Sequence, residues 1–100
     1  MGEIERALRK SWNKKMIQGR TNLNQCLFEP ALQSFTAALH MTETNRSLSP
    51  LKFRVLGEIG WVNRLAGRYA IALQYLEEAI SLADSLPGPP TGTDWAAAWR

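Results

Sequence analysis

The residue types that most often carry covalent, acid–base or metal chemistry are few in this sequence and lie far apart along the chain. There is one cysteine, Cys26, and one histidine, His40. A CxxC-type metal or redox site needs two cysteines, and an activated nucleophile needs a base close to it. We therefore expect no catalytic residue, no metal site and no cofactor, and we expect that the protein is not an enzyme.

The remaining candidates for chemistry do not change this expectation. Glu77 and Glu78 are adjacent, and on a helix neighbouring side chains point in different directions, so they do not form a catalytic pair. We expect Cys26 to be a small buried residue in a turn. His40 is expected near a helix end, as a cation or a half-buried side chain.

The length and composition are those of a single small globular domain. The chain has 100 residues, of which 45% are hydrophobic and 21% charged, with a formal net charge of +3. Basic residues concentrate before position 21 and acidic residues after position 76. The basic end suits an acidic partner segment, a nucleic acid or an anionic membrane, and two ends of opposite charge also suit head-to-tail association of copies.

No targeting signal or membrane segment is evident in the sequence. The N-terminus lacks the apolar run of a signal peptide, and no stretch approaches the ~20 apolar residues that cross a bilayer. We expect a cytoplasmic protein that has no membrane partner.

The elements that position these side chains are predicted to be helices. Apolar residues recur at helical intervals, and no run alternates with the period of a strand. The pattern predicts an all-α protein with helices at roughly 3–24, 29–41, 50–65, 69–85 and 93–100. Ser49 is expected to cap the third helix with Pro50 in its first turn. Gly67 is expected to end that helix in a tight turn.

Two stretches of the sequence, residues 19–39 and 60–80, match each other without a gap. Every matched pair is separated by 41 positions: Gly19 and Gly60, Asn22 and Asn63, Phe28 and Tyr69, Ala31 and Ala72, Phe35 and Leu76, Ala38 and Ala79. Small residues let two antiparallel helices approach closely, and the larger ones fill the space between one hairpin and the next. Because such a hairpin cannot bury its apolar face alone, we expect two hairpins that stack.

This pattern resembles the tetratricopeptide repeat (TPR), and the second stretch is the better match. Counting from Phe53, its signature positions hold Leu56, Ile59, Gly60, Ala66, Gly67, Tyr69, Ala72, Leu76, Ala79 and Leu82. Asn63 and Asp84 stand where the family prefers Tyr and Pro, and Lys15 and Gln18 replace large residues in the first stretch. The spacing exceeds the family period of ~34 residues and is similar to the extended repeats of rapsyn and kinesin light chain.

The resemblance implies two antiparallel TPR-like hairpins plus a partial C-terminal helix, as in a fragment of an α-solenoid. Within one domain over residues 1–100, repeat 1 would cover about 12–45, repeat 2 about 53–86 and the last helix about 93–100. An unrelated pair of α-hairpins is the alternative.

The resemblance also implies a groove that is lined by the first helix of each repeat and binds a peptide or protein segment. The residues at its positions would be Asn13, Met16, Arg20, Leu23, Arg54, Gly57, Trp61 and Arg64. Arginine binds carboxylates through paired hydrogen bonds, and tryptophan is a favoured anchor, so the expected partner carries acidic and hydrophobic residues. Met16, Arg20 and Glu58 stand where the carboxylate-clamp subfamily has Lys and Asn, which argues against a chaperone tail as ligand.

The repeat spacing would carry a third repeat beyond Arg100. Residues 93–100 would then be the start of the first helix of a third repeat. Trp95 and Trp99 would share one face of that helix and pack on the fourth helix. Two repeats and a part of a third leave an apolar end exposed. We therefore expect either a fragment of a longer array or self-association into a homo-oligomer through that end.

Two other functions stay open at this point. One is a basic helical module that contacts nucleic acid through Arg6, Arg9, Lys10, Lys14 and Lys15. The other is a regulatory fragment of a larger protein.

Overall fold

The computed structural model describes residues 2–85, which form four α-helices and one short 3₁₀ helix. In chain order these are α1 (Glu3–Asn24), α2 (Phe28–Thr44), the 3₁₀ helix (Arg46–Leu51), α3 (Lys52–Leu65) and α4 (Tyr69–Ser85). This part of the chain contains no strand, which confirms the all-α prediction for it. The predicted helix at 93–100, with Trp95 and Trp99, lies outside the described residues.

The connection between α2 and α3 differs from the prediction. The second helix continues to Thr44, and the 3₁₀ helix fills most of the expected turn. Ser49 does not cap α3, so that prediction is wrong: its hydroxyl donates to the Arg46 carbonyl at 2.9 Å, and Pro50 lies inside the 3₁₀ helix. The physical reason is that a serine hydroxyl readily bonds back to a carbonyl three residues earlier.

Two helical hairpins, α1–α2 and α3–α4, are closed by turns of the same geometry. In the first turn the Leu27 N–H donates to the Asn22 carbonyl at 2.9 Å, and in the second the Arg68 N–H donates to the Asn63 carbonyl at 2.8 Å. The middle residue has a positive φ in both turns. This is the Schellman arrangement at a helix end, and a connection this short makes the two helices antiparallel neighbours.

The residues in the middle of the two turns are of different types. Gly67 has φ +83° and ends α3 as predicted, whereas the equivalent position in the first hairpin is Cys26, with φ +60°. The prediction that Cys26 is buried is wrong, because its side chain is exposed. It lies beyond the end of α1, outside the packed pair of helices.

A single core joins the two hairpins, with α2 packed against both α1 and α3. Its buried members come from three α-helices and the 3₁₀ helix: Trp12, Ala31, Phe35, Ala38, Leu48, Val55, Ile59 and Val62. The antiparallel pairs are closest at two glycines. A Cβ at Gly19 would lie 2.5 Å from the Phe35 ring, and a Cβ at Gly60 would lie 2.8 Å from the Leu76 side chain. A side chain at either position would therefore force the neighbouring apolar side chain to shift.

Candidate functional site

A groove runs between α1 and α3, the first helix of each hairpin, and encloses about 490 Å³. Its lining residues are Trp12, Asn13, Met16, Ile17, Arg20, Arg54 and Glu58. The α1 residues after Trp12 recur at intervals of three and four, and the two α3 residues are four apart, so each helix presents one stripe of side chains. We call this surface the α1/α3 groove.

The apolar part of the α1/α3 groove comes from α1. Trp12 is buried in the core, and Met16 is half-buried against that core. Ile17 projects from the same stripe with 64% of its surface exposed. An exposed isoleucine beside a half-buried methionine gives a ligand an apolar surface to cover.

An ion pair crosses this groove and ties the two hairpins together. Arg20 Nε donates to Glu58 Oε2 at 3.1 Å, and Arg20 Nη2 donates to Glu58 Oε1 at 2.9 Å. The Glu58 side chain is only 7% exposed, whereas that of Arg20 is 68% exposed. Hydrogen bonding to Glu58, together with the charge of that carboxylate, raises the pKa of the Arg20 guanidinium above its ordinary value. The pair fixes Arg20 on the groove wall and neutralises its charge.

Glu58 is the residue of this site that sequence reasoning missed. In the sequence Glu58 stands out only as a departure from the carboxylate-clamp pattern, and it lies 38 residues from its partner along the chain. The sequence did contain a signal for this pair. Glu58 directly follows Gly57, a predicted groove position, and the groove positions of the two repeats are expected to face each other. An acidic residue there can pair with an arginine on α1.

Arg54 is the cation of the α1/α3 groove that has no carboxylate partner within residues 2–85. Its side chain is exposed on the groove wall. Within residues 2–85, no hydrogen bond or ion pair involves it. A ligand carboxylate at this wall can therefore pair with Arg54 without displacing another partner.

The structure brings together some of the predicted groove residues and separates the others. Met16, Arg20 and Arg54 line the same groove. Leu23 is half-buried and packs against the core. Trp61 and Arg64 lie further along α3, where the Arg64 guanidinium stacks over the Trp61 ring at 5.2 Å from its centroid.

A second groove, the α3/α4 groove, lies on the other side of the second hairpin and encloses about 790 Å³. It is lined by Arg64, Tyr69, Ala72, Leu73, Leu76, Glu77, Ile80, Ser81 and Asp84. Tyr69 and Leu73 are 69% and 55% exposed. Tyr69 is one of the large residues expected to fill the space between one hairpin and the next. Within residues 2–85 no element covers it, so this expectation is not met there.

The basic residues of α1 lie mostly at the surface. Arg6, Lys10 and Lys14 are spaced by four, so they share one face of the helix, and all three are exposed. Arg9 is exposed at the edge of a small cavity next to the 3₁₀ helix, and Lys15 is half-buried. The exposed stripe is a candidate surface for an anionic partner.

Metal and membrane features can be stated for residues 2–85 only. This stretch has no group of three or more His, Cys, Asp or Glu side chains that could hold a metal ion. None of its helices combines the length and apolar character needed to cross a bilayer.

Comparison of the chain with protein-family models, with characterised proteins and with solved structures finds no match.

Proposed function

We propose that this protein is a TPR-like interaction scaffold that binds a segment of another protein in the α1/α3 groove and catalyses no reaction. The observation that carries the proposal is the groove itself, formed by the first helix of each hairpin. It combines an apolar stripe with one unmatched cation, Arg54. A concave surface with apolar lining and a few polar groups is the usual form of a binding site.

The TPR-like part of the proposal is supported by features that recur 41 positions apart. α1 and α3 end at Asn24 and Leu65, and α2 and α4 begin at Phe28 and Tyr69. The turns share their hydrogen bonds, and the glycines of closest approach are also 41 apart. An α-hairpin pair without a repeat would have no reason to share all of these features.

The charges of the groove define the ligand more narrowly than the sequence did. Three arginines suggested a partner with acidic and hydrophobic residues, yet Arg20 is neutralised by Glu58, and Arg64, which stacks on Trp61, does not line the groove. Of these three arginines, Arg54 is the one that lines the groove and has no side-chain partner within residues 2–85. We therefore propose a peptide in which one acidic residue stands next to apolar residues that cover Met16 and Ile17.

The experiment is a selection from a phage-displayed random peptide library on the immobilised protein. The affinity of an enriched, fluorescein-labelled peptide is then measured by fluorescence polarisation. Arg54→Glu should weaken binding by about tenfold or more, since it replaces an attractive charge with a repulsive one. The matched control, Arg46→Glu, makes the same charge change in the 3₁₀ helix, outside the groove, and should stay within about twofold.

Two results would count against the groove. Equal losses from Arg54→Glu and Arg46→Glu would show that only overall charge matters. Failure of the selection to enrich any peptide would remove the evidence for peptide binding.

The exposed stripe of Arg6, Lys10 and Lys14 supports a second candidate, nucleic-acid binding. If all three residues contacted phosphates of a duplex, log affinity would fall with log salt concentration at a slope of about −2.7. A labelled 20-mer duplex titrated at several salt concentrations tests this, with Lys10→Glu as the variant that should reduce the slope. No binding at low salt would exclude this candidate.

A further inference from the structure

The α3/α4 groove has a counterpart in the first hairpin that is covered. The groove residues of α4 correspond, 41 positions earlier, to α2 residues that belong to the core or pack against it: Phe28 for Tyr69, Ala31 for Ala72, Leu32 for Leu73, Phe35 for Leu76 and Leu39 for Ile80. The element that covers them is α3, which packs on α2. Within residues 2–85 the same face of α4 stays open, with Tyr69 and Leu73 exposed.

The helix that covers the first hairpin shows what kind of helix such a surface accepts. α3 contributes Val55, Ile59 and Val62 to the core, and these residues lie on one stripe because they are spaced by four and three. One turn earlier on that stripe, Lys52 pairs with Glu43 of α2 at 3.4 Å. The pattern of the covering helix is therefore a cation in its first turn, followed by three apolar β-branched residues.

The α3/α4 groove carries acidic partners for this pattern. Asp84 stands 41 positions after Glu43 and lines the groove, so it is placed to pair with the cation of a covering helix. Glu77 also lines the groove, whereas the equivalent residue of the first hairpin is the uncharged Thr36. Because this groove is more acidic than its counterpart, it favours a basic helix more strongly.

The charges at the two ends of the groove favour one direction for the incoming helix. Asp84 lies in the last turn of α4, and Arg64 lies just before α4 begins. A helix carries partial positive charge at its N-terminus and partial negative charge at its C-terminus. A helix that begins beside Asp84 and ends beside Arg64 is stabilised at both ends. In the first hairpin, Lys52 at the start of α3 likewise meets an acidic residue at the end of α2.

We propose that the α3/α4 groove is a second interaction surface, which binds a basic amphipathic helix of another protein antiparallel to α4. That helix has a cation in its first turn and apolar β-branched residues on the stripe that follows. The surface is separate from the α1/α3 groove, and its occupation does not depend on the function proposed for that groove.

Segments of this chain match the required pattern less well than a helix of another protein. In a second copy stacked head to tail, α1 would present Lys14, Gln18 and Thr21 at the three apolar positions, and all three are exposed polar residues. At the same spacing after α4, the chain has Ala96 and Arg100 at the first two of these positions. A lysine or an arginine there would bury a charge against apolar surface.

The test uses a helix that is known to fit the first hairpin. An acetylated and amidated peptide of α3, residues 52–65 (KFRVLGEIGWVNRL), is titrated into the ¹⁵N-labelled full chain and followed by NMR. It should shift the amide signals of residues 69–84 in a saturable manner. Leu73→Lys places a charge in the groove and should weaken binding by about tenfold or more. The matched control, Ile71→Lys, changes an exposed residue of α4 outside the groove and should stay within about twofold.

A charge reversal tests the direction of the helix without altering the apolar surface. Asp84→Lys in the chain should weaken binding of the unmodified peptide by about fivefold, because an attractive pair becomes a repulsive one. A peptide that carries Lys52→Glu should recover most of that affinity on the Asp84→Lys chain. Since Asp84 is exposed, this variant should fold as the unmodified chain does.

The proposal fails if millimolar peptide leaves the amide signals of α4 unchanged, or if its affinity survives Leu73→Lys. It also fails if the reversed peptide binds the Asp84→Lys chain no better than the unmodified peptide does. Nuclear Overhauser contacts between residues 93–100 and Leu73 would show that the chain itself fills the groove. A dimer in sedimentation equilibrium that Leu73→Lys dissociates would show that a second copy fills it, and either result would overturn the proposal.

Discussion

The two hairpins have the same internal contacts and differ in what covers them. Each contains a glycine against a large apolar side chain, Gly19 against Phe35 and Gly60 against Leu76. Phe35 is completely buried because α3 packs over the first hairpin, whereas Leu76 keeps 8% of its surface exposed and borders an open groove. The difference shows that the repeat determines how each hairpin closes, while position along the chain determines how deeply its outer face is buried.

The two outer ends of the hairpin pair also differ in polarity. The outward face of α1 carries Lys14, Gln18 and Thr21, all exposed. The outward face of α4 carries Leu73 in an apolar groove. The α1 end is therefore suited to contact with water, as in a capping repeat, and the α4 end is suited to the stacking of a further helix on it.

The largest expected effect comes from truncating the equivalent large side chains. Phe35→Ala should lower the free energy of unfolding by about 4 kcal/mol and Leu76→Ala by about 2 kcal/mol, because Phe35 is larger and lies deeper. Urea unfolding followed by circular dichroism at 222 nm measures both. A loss from Leu76→Ala that equals or exceeds that from Phe35→Ala would contradict the difference between the hairpins.

The next effect comes from the glycines. Gly19→Ala should cost about 3 kcal/mol, because the new methyl group meets the ring of a fully buried phenylalanine. Gly60→Ala should cost less, about 2 kcal/mol, because Leu76 borders an open groove and can shift, although the new Cβ also lies 3.2 Å from the Ala72 carbonyl oxygen. Gly2→Ala has no atom near the new Cβ and is the control; it should cost only about 0.5 kcal/mol, from the loss of glycine at the N-cap of α1. The urea midpoints rank the three variants, and the comparison fails if the first two are equal.

Smaller effects on the free energy of unfolding are expected at the two arginines that link the hairpins, and these two effects should differ. Arg68 pairs with the exposed Glu29 at 2.9 Å, so Arg68→Ala should cost no more than about 0.5 kcal/mol. Arg20→Ala leaves the buried Glu58 carboxylate without its partner and should cost about 1.5 kcal/mol. Adding Glu58→Gln to Arg20→Ala should recover part of that loss. Equal losses from the two single variants would show that the Glu58 pair has no special role.

The effects expected at the turns are about 1 kcal/mol, and their sign is opposite in the two hairpins. Cys26→Gly should stabilise the protein by about 1 kcal/mol, because glycine adopts a positive φ without strain. Gly67→Ala should destabilise it by about the same amount. Cys26→Ala is the control for loss of the thiol and should be nearly neutral. Thermal unfolding measures all three, and a Cys26→Gly variant that melts below the unmodified chain would refute the equivalence of the turns.

Much of the fold follows from local patterns in the sequence. Apolar periodicity predicted the bounds of α1 and α4, and Gly67 marked the turn that it forms. Ser49 was misassigned because a serine can either cap the next helix or bond backward, and local sequence does not decide between them. The exposed turn position of Cys26 could have been predicted, since it lies 41 positions before Gly67.

The candidate site was less predictable, because it depends on which side chains meet across separate helices. The stripe with Met16 and Arg20 follows from helical spacing, and Arg54 follows from the repeat. The pairing of Arg20 with Glu58, and of Arg64 with Trp61, depends on side-chain reach and local geometry. Glu58 neutralises Arg20 and Arg64 does not line the groove, so the sequence overstated the positive charge of the groove.

The most direct test of the repeated architecture is to add a repeat. A chain in which residues 45–85 are duplicated in tandem keeps the 41-residue spacing and covers the α3/α4 groove with a second copy of α3. If the hairpins are equivalent units that stack, the urea unfolding free energy should rise by about 2–6 kcal/mol, in proportion to the added length. An unfolding free energy that stays the same or falls, with no gain in helical signal, would contradict the account.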